Sequence, residues 1–260
     1  DPRGAVESFR EILDERRDHK EAIRALEGVA DANPELRLAI VEVLEPIYRE
    51  LDDWRRLVVA LNLRLAASED PIERGQLLRE IGTLKELRDG DVKAAFAAFS
   101  QAFAADPADG EAREAAERLA AEHGLWDDLV ATYETALAAT DDSVVQTDLL
   151  RAIASTHDQR RDDPRSAIDA YNRLFAIDET QLDVLDLLEN LHVLLSDWAG
   201  HVEVLERKVA RSLDDEIRTF LLRQIGEQQR DMLNDPDKAV DAFQRALEID
   251  PGDVASLEAL

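Results

Sequence analysis

The sequence of 260 residues contains no cysteine and is poor in glycine, proline and aromatic residues. Without cysteine, the chain has neither a disulfide framework nor a thiolate zinc site. Ten glycines and eight prolines leave few positions that interrupt regular secondary structure. No run of 18 apolar residues occurs, so the sequence predicts no membrane-spanning helix. The remainder is dominated by alanine, leucine, glutamate, aspartate and arginine, a composition that favours helices.

Basic residues are also scarce relative to acidic ones. The chain has 31 lysines and arginines against 58 aspartates and glutamates, a formal net charge of −27. This field repels nucleic acids and anionic membranes, and it favours basic proteins or basic segments as partners. We expect a soluble protein and slightly favour the cytoplasm. Because the chain begins with Asp1 and no signal-like segment follows, we also expect a fragment or a processed form.

Motifs for catalysis, cofactors and metals are missing. The sequence has no phosphate-binding loop, no dinucleotide-binding glycine motif and no serine hydrolase elbow. Its five histidines lack the spacing of a zinc site, and we predict that they are surface or groove residues. They are His19, His123, His157, His192 and His201. The sequence therefore predicts no catalytic residue, no metal site and no cofactor.

Four classes of residue recur along the chain with one common period. The three tryptophans, Trp54, Trp126 and Trp198, are equally spaced, at intervals of 72. An isoleucine set, an alanine set and an aromatic set keep the same spacing. These are Ile81, Ile153 and Ile225; Ala95, Ala167 and Ala239; and Phe99, Tyr171 and Phe243. Chance does not place four classes of residue on one period, so the chain is predicted to be a structural repeat.

Each period contains four predicted helices. From Trp126 onward, apolar residues recur at helical spacing, which predicts helices over 126–140, 144–160, 164–177 and 181–195. Carboxylate pairs, as in LDDW and RDDP, fall in the connecting turns and suit helix N-caps. Short connections predict antiparallel neighbours, and helices of this length bury their apolar stripes only by stacking.

One hairpin of each period resembles the tetratricopeptide repeat, whose pattern has a small residue, then alanine, an aromatic residue, alanine and proline. The pattern is met by Gly226, Ala239, Phe243, Ala246 and Pro251. It is met again by Gly82, Ala95, Phe99, Ala102 and Pro107. The third copy has Ala154, Ala167, Tyr171 and Leu174, with Glu179 in place of the proline. The resemblance implies an all-α fold: a right-handed α-solenoid of antiparallel helix hairpins, a tetratricopeptide-like superhelix of about 15 helices.

Two features depart from this pattern. The alternate hairpins carry glutamate where the family has a small residue: Glu45, Glu117 and Glu189. The start of the chain also departs, since the segment 5–12 looks like a second helix that comes too early by the length of one helix and a turn. We therefore predict one inserted extra helix in 19–34, N-terminal helices over 1–33, and a repeat array over 34–260. We expect this array to be truncated at the C-terminal end.

A row of alternating charges is the most specific candidate site. The same position of six successive first helices carries Glu42, Arg79, Glu114, Arg151, Asp186 and Arg223. One interpretation is a ladder of ion pairs between neighbouring helices, which would satisfy the charges internally. The other is a polar groove that holds an extended partner segment. The predicted groove is completed by Thr83, Ser155 and Glu227.

The family resemblance implies protein–protein interaction without catalysis, with a concave groove for a segment of a partner. The predicted partner is a basic protein or peptide, with no nucleic acid and no membrane insertion. Two alternatives stay open. The chain is a structural spacer or self-assembly module without a specific groove ligand, or it is a regulatory repeat array of a longer enzyme.

Overall fold

Helices provide all the regular secondary structure of the chain. The computed structural model describes residues 1–260 and contains fifteen α-helices, one 3-10 turn, one π-helical turn and no strand. The predicted all-α fold of about 15 helices is therefore confirmed. The chain forms two compact units, residues 1–140 and 141–260, which we call the first unit and the second unit.

The first unit consists of eight helices, each packed against the next. Their bounds are α1 Pro2–Glu15, α2 Lys20–Ala32, α3 Arg37–Glu50, α4 Trp54–Ala67, α5 Pro71–Leu84, α6 Val92–Ala105, α7 Gly110–His123 and α8 Trp126–Ala138. The 3-10 turn Pro34–Leu36 precedes α3, and the π-helical turn Lys85–Asp89 extends α5. Because the connections are short, consecutive helices run antiparallel.

The second unit consists of seven helices, again each packed on the next. Their bounds are α9 Ser143–Arg160, α10 Pro164–Ile177, α11 Asp183–Leu194, α12 Trp198–Arg211, α13 Asp215–Asp231, α14 Pro236–Ile249 and α15 Val254–Ala259. The predicted helix over 164–177 coincides with α10, and the other three predicted in this period agree closely at both ends.

Aspartates start most of the helices. An N-cap carboxylate accepts a hydrogen bond from a backbone N–H in the first turn of eleven helices, which satisfies a donor that has no partner inside the helix. These caps are Asp1, Asp53, Asp70, Asp91, Asp109, Asp142, Asp163, Asp197, Asp214, Asp235 and Asp253. The capping role predicted for the turn carboxylates is confirmed, and it accounts for part of the acidic composition.

The backbone of the hairpin corners repeats with the same period as the sequence. Six residues with positive φ each lie immediately before the N-cap residue of the following helix. One series is Asp52, Gly124 and Ser196, and the other is Gly90, Asp162 and Asn234. Within each series the members lie one period apart. Only two of the six residues are glycines, for which a positive φ is free of strain. The corner geometry therefore follows the repeat rather than the identity of the residue.

Close contact between a small residue and an aromatic ring closes the hairpins that resemble the family. A Cβ atom added to Gly82 would lie 2.8 Å from the ring of Phe99, and one added to Gly226 would lie 2.7 Å from the ring of Phe243. Both rings are buried. At these two positions glycine permits the close approach, because the aromatic ring occupies the space that a Cβ atom would need.

The predicted inserted helix requires a correction. The helix α2 exists, but α2, α6, α10 and α14 begin at Lys20, Val92, Pro164 and Pro236, which lie one period apart. This helix therefore occupies a regular place in the period, and α1 takes the place of the first helix of its hairpin. The sequence hides this because Glu27 stands at the aromatic position of α2. Its carboxylate accepts a hydrogen bond from Tyr48 at 2.9 Å and pairs with Arg56 at 2.8 Å.

Candidate partner-binding groove

The three arginines of the alternating row share one structural role. Arg79 lies 2.7 Å from Asp109, and Arg223 lies 3.0 Å from Asp253; both carboxylates are N-caps. Arg151 lies 2.7 Å from Asp183, the first residue of α11. Each arginine thus ties its own helix to the start of the first helix of the next hairpin.

The predicted ladder is therefore wrong within each unit. Arg79 contacts neither Glu42 nor Glu114, and it pairs instead with carboxylates at the N-terminus of α7. Asp186 pairs with Lys208 of α12 rather than with a neighbouring arginine. The physical reason is distance. The N-cap carboxylate is held at a fixed place on the adjacent helix, within ion-pair distance of the arginine, so the guanidinium pairs with it instead of with a charge of the row.

The remaining members of the predicted groove do not converge on one point. Glu42 and Glu114 are exposed and make no ion pair. The hydroxyl groups of Thr83 and Ser155 donate hydrogen bonds to carbonyls of their own helices, at 2.9 and 3.1 Å. Glu227 is exposed on α13. Of the whole row, Glu42, Arg79 and Asp186 line grooves, and these are three separate grooves, of which that beside Arg79 is the smallest at about 340 Å³.

The first groove, of about 410 Å³, lies between α3, α4 and α5. It is lined by Leu38, Glu42, Glu45, Pro46, Arg64, Ala67, Ser68 and Glu73. Arg64 closes it with a hydrogen bond of 2.8 Å to Glu45 and a second contact to Glu73. The hydroxyl of Ser68 donates to Glu73 at 2.7 Å, and this bond, with that from Arg64, lowers the pKa of the Glu73 carboxyl. Its ionic groups are satisfied internally, apart from Glu42.

The second groove, of about 770 Å³, lies between α11, α12 and α13. It is lined by Leu182, Asp183, Leu185, Asp186, Glu189, Lys208, Arg211, Ser212, Ile217, Phe220, Leu221 and Gln224. The side chains of Leu182, Ile217 and Phe220 are 51%, 51% and 48% exposed. This groove therefore presents apolar surface to solvent, which the first groove does not do to the same extent.

One lysine contacts two of the three carboxylates that line the second groove. Lys208 donates hydrogen bonds to both Asp186 and Glu189. Burial by itself would lower the pKa of Lys208, but the two carboxylates outweigh it and the pKa is raised. The lysine therefore stays charged. Asp186 and Glu189 share this one cation, because Arg211, which also lines the groove, pairs with Glu179. This pair of carboxylates therefore keeps an excess of negative charge.

The two grooves are the same structural site two periods apart. Seven of the eight residues that line the first groove have an equivalent two periods later that lines the second. Arg64 corresponds to Lys208, Glu73 to Ile217 and, just outside the first groove, Gln76 to Phe220. Sequence reasoning missed all these residues except the pair Glu42 and Asp186. A comparison of the residues that lie two periods apart in the sequence could have found them.

The glutamates that replace the family's small residue are built into the packing. Glu45, almost fully buried, pairs with Arg49 and Arg64 at 2.8 Å. Glu117 accepts a hydrogen bond of 2.6 Å from the hydroxyl of Tyr133, and burial together with this bond raises the pKa of Tyr133. Each carboxylate therefore recruits a partner from the following helix, where the family relies on close contact of small side chains.

The histidines require a second correction. Three of the five predicted surface or groove residues, His157, His192 and His201, are buried. The Nδ1 atom of His192 lies 2.8 Å from the N-cap carboxylate of Asp197, and that of His201 lies 2.7 Å from the Gln228 amide oxygen. No group of three or more histidine, aspartate or glutamate side chains is arranged to hold a metal ion. None of the helices combines the length and hydropathy of a transmembrane segment.

Comparison with known families identifies one repeat in the sequence. Residues 233–253 match the family model of the tetratricopeptide repeat. The match covers α14 and the turns beside it, and it confirms the resemblance predicted from the sequence. Tetratricopeptide repeats are generally protein–protein interaction modules, which supports a scaffold role in general terms. No curated protein matches the sequence.

Several solved structures of helical repeat proteins are similar to this chain. A tetratricopeptide repeat protein from Parabacteroides merdae is 14% identical, with 99% of this chain and 98% of that chain covered, at a TM-score of 0.35. MamA is 21% identical, with 69% and 93% covered, at a TM-score of 0.36. YrrB, described as having an unusual peptide-binding site, is 15% identical, with 77% and 97% covered, at a TM-score of 0.36.

Proposed function

We propose that the protein is a non-catalytic scaffold that binds a segment of a partner protein in the second groove. The observation that carries this proposal is the exposed apolar surface formed by Leu182, Ile217 and Phe220 inside a groove of about 770 Å³. Apolar side chains that line a concave surface gain free energy when a partner covers them, at about 25 cal/mol per Å² buried. Exposed apolar patches rimmed by charged groups are typical of interaction sites.

The partner is proposed to be basic, and nucleic acid is not a proposed ligand. The net charge of −27 steers cations toward the protein and repels phosphate backbones. The excess of carboxylate over lysine beside the second groove gives this general field a local counterpart. We do not assign catalysis to any residue. Tetratricopeptide repeat proteins are generally non-catalytic, and the charged groups of both grooves, apart from Glu42, are held in ion pairs.

A spacer role is supported for the first groove. Arg64, Glu45, Glu73 and Ser68 form a connected set of contacts that fixes α3, α4 and α5 relative to one another. A partner would have to break this set before it could enter. The first unit is therefore proposed to act as a structural support, while the second unit carries the binding surface.

The test replaces the apolar wall of the second groove with the residues of the first. In the variant Ile217→Glu/Phe220→Gln, both changes are at half-exposed positions, so the fold is kept. The control, Ile72→Glu/Leu87→Gln, makes matched changes at exposed positions outside both grooves. Wild type and both variants are immobilised and exposed to an extract of the source cells, and retained proteins are quantified by mass spectrometry.

We expect a specific set of retained proteins whose signal falls about tenfold or more in the groove variant, since each fully buried apolar side chain contributes about 1.5–3 kcal/mol. The control variant is expected to retain the wild-type set. Equal retention by wild type and the groove variant would show that the second groove is not the binding site.

A further inference from the structure

A further groove, of about 490 Å³, lies between α6 and α8 of the first unit, and we call it the α6–α8 groove. Its wall is mostly apolar and includes Phe96 and Ala97 of α6. Ser100, Thr132 and Thr135 place hydroxyl-bearing side chains along the same wall. The groove shares no residue with the first or the second groove, so it is a separate candidate site.

The equivalent place in the second unit is occupied by an arginine. Arg207 of α12 donates a hydrogen bond of 2.7 Å to the Oδ1 atom of Asn172 on α10. One period earlier, Thr135 stands at the position of Arg207 and Ser100 at that of Asn172. These shorter side chains do not join α8 to α6, and the groove lies open between the two helices. The repeat therefore contains its own example of a guanidinium that bridges two such helices.

The hydroxyl groups of the α6–α8 groove have unused capacity to accept hydrogen bonds. The Oγ atom of Ser100 has no hydrogen-bond partner and is shielded from water. Rotation of this hydroxyl toward the groove therefore breaks no hydrogen bond, whereas leaving it unpaired costs free energy. The hydroxyls of Thr132 and Thr135 donate to carbonyls of their own helix, each at 2.8 Å, which leaves their lone pairs free to accept. Three oxygens are thus available to a donor that enters the groove.

The charged groups of this groove balance one another. Lys93 and Asp128 line it in the first turns of α6 and α8, and neither is held in an ion pair. Because these two charges cancel, the preference for a cation comes from the hydroxyl acceptors and from the net charge of −27. Several neutral oxygens suit a guanidinium, which has five donors in one plane and is more weakly hydrated than the ammonium group of lysine.

We infer that the α6–α8 groove binds an arginine side chain of a partner protein, in the place that Arg207 takes one period later. This inference goes beyond the proposed function, which gives the first unit a supporting role. The hydrocarbon stem of the arginine packs against Phe96 and Ala97. Its guanidinium donates to the hydroxyls of Ser100 and the two threonines.

The inference is tested with three small compounds and protein labelled at its alanine methyl groups, observed by nuclear magnetic resonance. The compounds are the Nα-acetyl amides of arginine, of lysine and of citrulline, in which a neutral urea group of the same shape replaces the guanidinium. The variant Ser100→Asn/Thr135→Arg introduces the bridge of the second unit. The control Ser8→Arg adds the same charge at an exposed position of α1 and removes the same kind of hydroxyl-to-carbonyl bond.

We expect the arginine compound to shift the methyl signals of Ala97, Ala104 and Ala131, which line the groove, and to reach saturation. It should bind about fivefold more tightly than the citrulline compound, which lacks the charge, and about threefold more tightly than the lysine compound. The affinity should fall about tenfold or more in Ser100→Asn/Thr135→Arg, because the introduced arginine fills the groove. The control Ser8→Arg should bind as wild type does.

Three results would overturn the inference. The first is the absence of saturable shifts at the three alanines of wild type. The second is binding of the citrulline or lysine compound that is as tight as that of the arginine compound. The third is wild-type affinity in Ser100→Asn/Thr135→Arg when its circular dichroism shows native helix content. The comparison of compounds needs wild type alone, so it decides the matter even where this variant fails to fold.

Discussion

The first and second grooves occupy equivalent positions two periods apart, yet ion pairs bridge the walls of one while apolar side chains stay exposed in the other. In the first groove, Arg64 bridges Glu45 and Glu73. In the second, Ile217 stands in the place of Glu73, so Lys208 turns to Asp186 and Glu189 and the α13 side of the groove stays apolar. A few exchanges, of which Glu73 for Ile217 is the central one, therefore separate a structural ion-pair cluster from an exposed apolar surface.

This comparison teaches that a repeat fixes where a site lies without fixing what the site does. Both grooves inherit the same helices, the same N-cap aspartates and corners of the same backbone geometry. The side chains at a few lining positions then decide between internal satisfaction and exposure. The four predictions below, ordered from the largest expected effect to the smallest, test whether this difference follows from those positions.

The strongest test creates a binding surface in the first groove. The variant Glu73→Ile/Gln76→Phe introduces the residues of the second groove at the equivalent positions, and Arg64 keeps its contact with Glu45. We expect the partner that the second groove retains from the extract to bind with a stoichiometry of two per chain instead of one, measured by isothermal titration calorimetry. A stoichiometry that stays at one would show that Ile217 and Phe220 are not sufficient to define the site.

The basic residue at the centre of each groove should matter more for stability in the first. Arg64→Ala leaves the almost fully buried Glu45 with Arg49 as its single cation, and we expect a loss of about 1–2 kcal/mol in the free energy of unfolding. Lys208→Ala leaves the exposed Asp186 and partly exposed Glu189 to water, with a loss below about 1 kcal/mol.

Urea unfolding followed by circular dichroism measures both losses. Arg64→Lys is the matched control, since it keeps one charge and removes the fork that reaches two carboxylates. A larger loss for Lys208→Ala than for Arg64→Ala would contradict the view that the ion pairs of the first groove are structural.

Acid should weaken the first groove through Glu73. Hydrogen bonds from Ser68 and Arg64 hold the pKa of this carboxyl below its ordinary value. Its stabilising contribution is complete above the unfolded-state pKa and is lost as the pH falls through the lower native pKa. We therefore expect Glu73→Gln to flatten the dependence of stability on pH between about pH 5 and pH 3. Ile217→Gln, at the equivalent position, should leave that slope unchanged.

The smallest effect is expected for Arg151. Its ion pair with Asp183 is partly exposed, so Arg151→Ala should cost less than about 1 kcal/mol in urea unfolding. The change also frees a carboxylate at the edge of the second groove, so the affinity for the basic partner retained from the extract should be kept or slightly raised. A marked loss of this affinity would instead assign Arg151 a direct part in binding, as the polar-groove interpretation of the sequence supposed.

The sequence predicted the fold well because helical periodicity and caps are local. The bounds of α10 and the capping role of the turn aspartates follow from residues that are neighbours in the chain. Prediction failed where the partner of a side chain lies on another helix. Glu27 hid α2 because a carboxylate held by Tyr48 and Arg56 replaces the expected aromatic ring.

The candidate site was predicted less well for the same reason. The row from Glu42 to Arg223 was found from the repeat position of its residues alone. The repeat position does not tell which charged side chains lie within ion-pair distance of one another. Arg79 and Arg223 are taken by the N-caps Asp109 and Asp253, which are distant in sequence and adjacent in space. The apolar wall of Ile217 and Phe220 was missed because exposed apolar residues on a helix look like any amphipathic stripe until the packing shows which of them stay uncovered.

By itself, the sequence determined the repeat period, the all-α class, the helix starts and the acidic field, because each depends on local hydrogen bonding or on a sum of charges. Only the tertiary structure decided which arginine meets which carboxylate, which histidines are buried, and which of two equivalent grooves exposes apolar side chains. Those outcomes depend on distances between helices, over which ion pairs and apolar contacts gain or lose most of their free energy within a few ångströms.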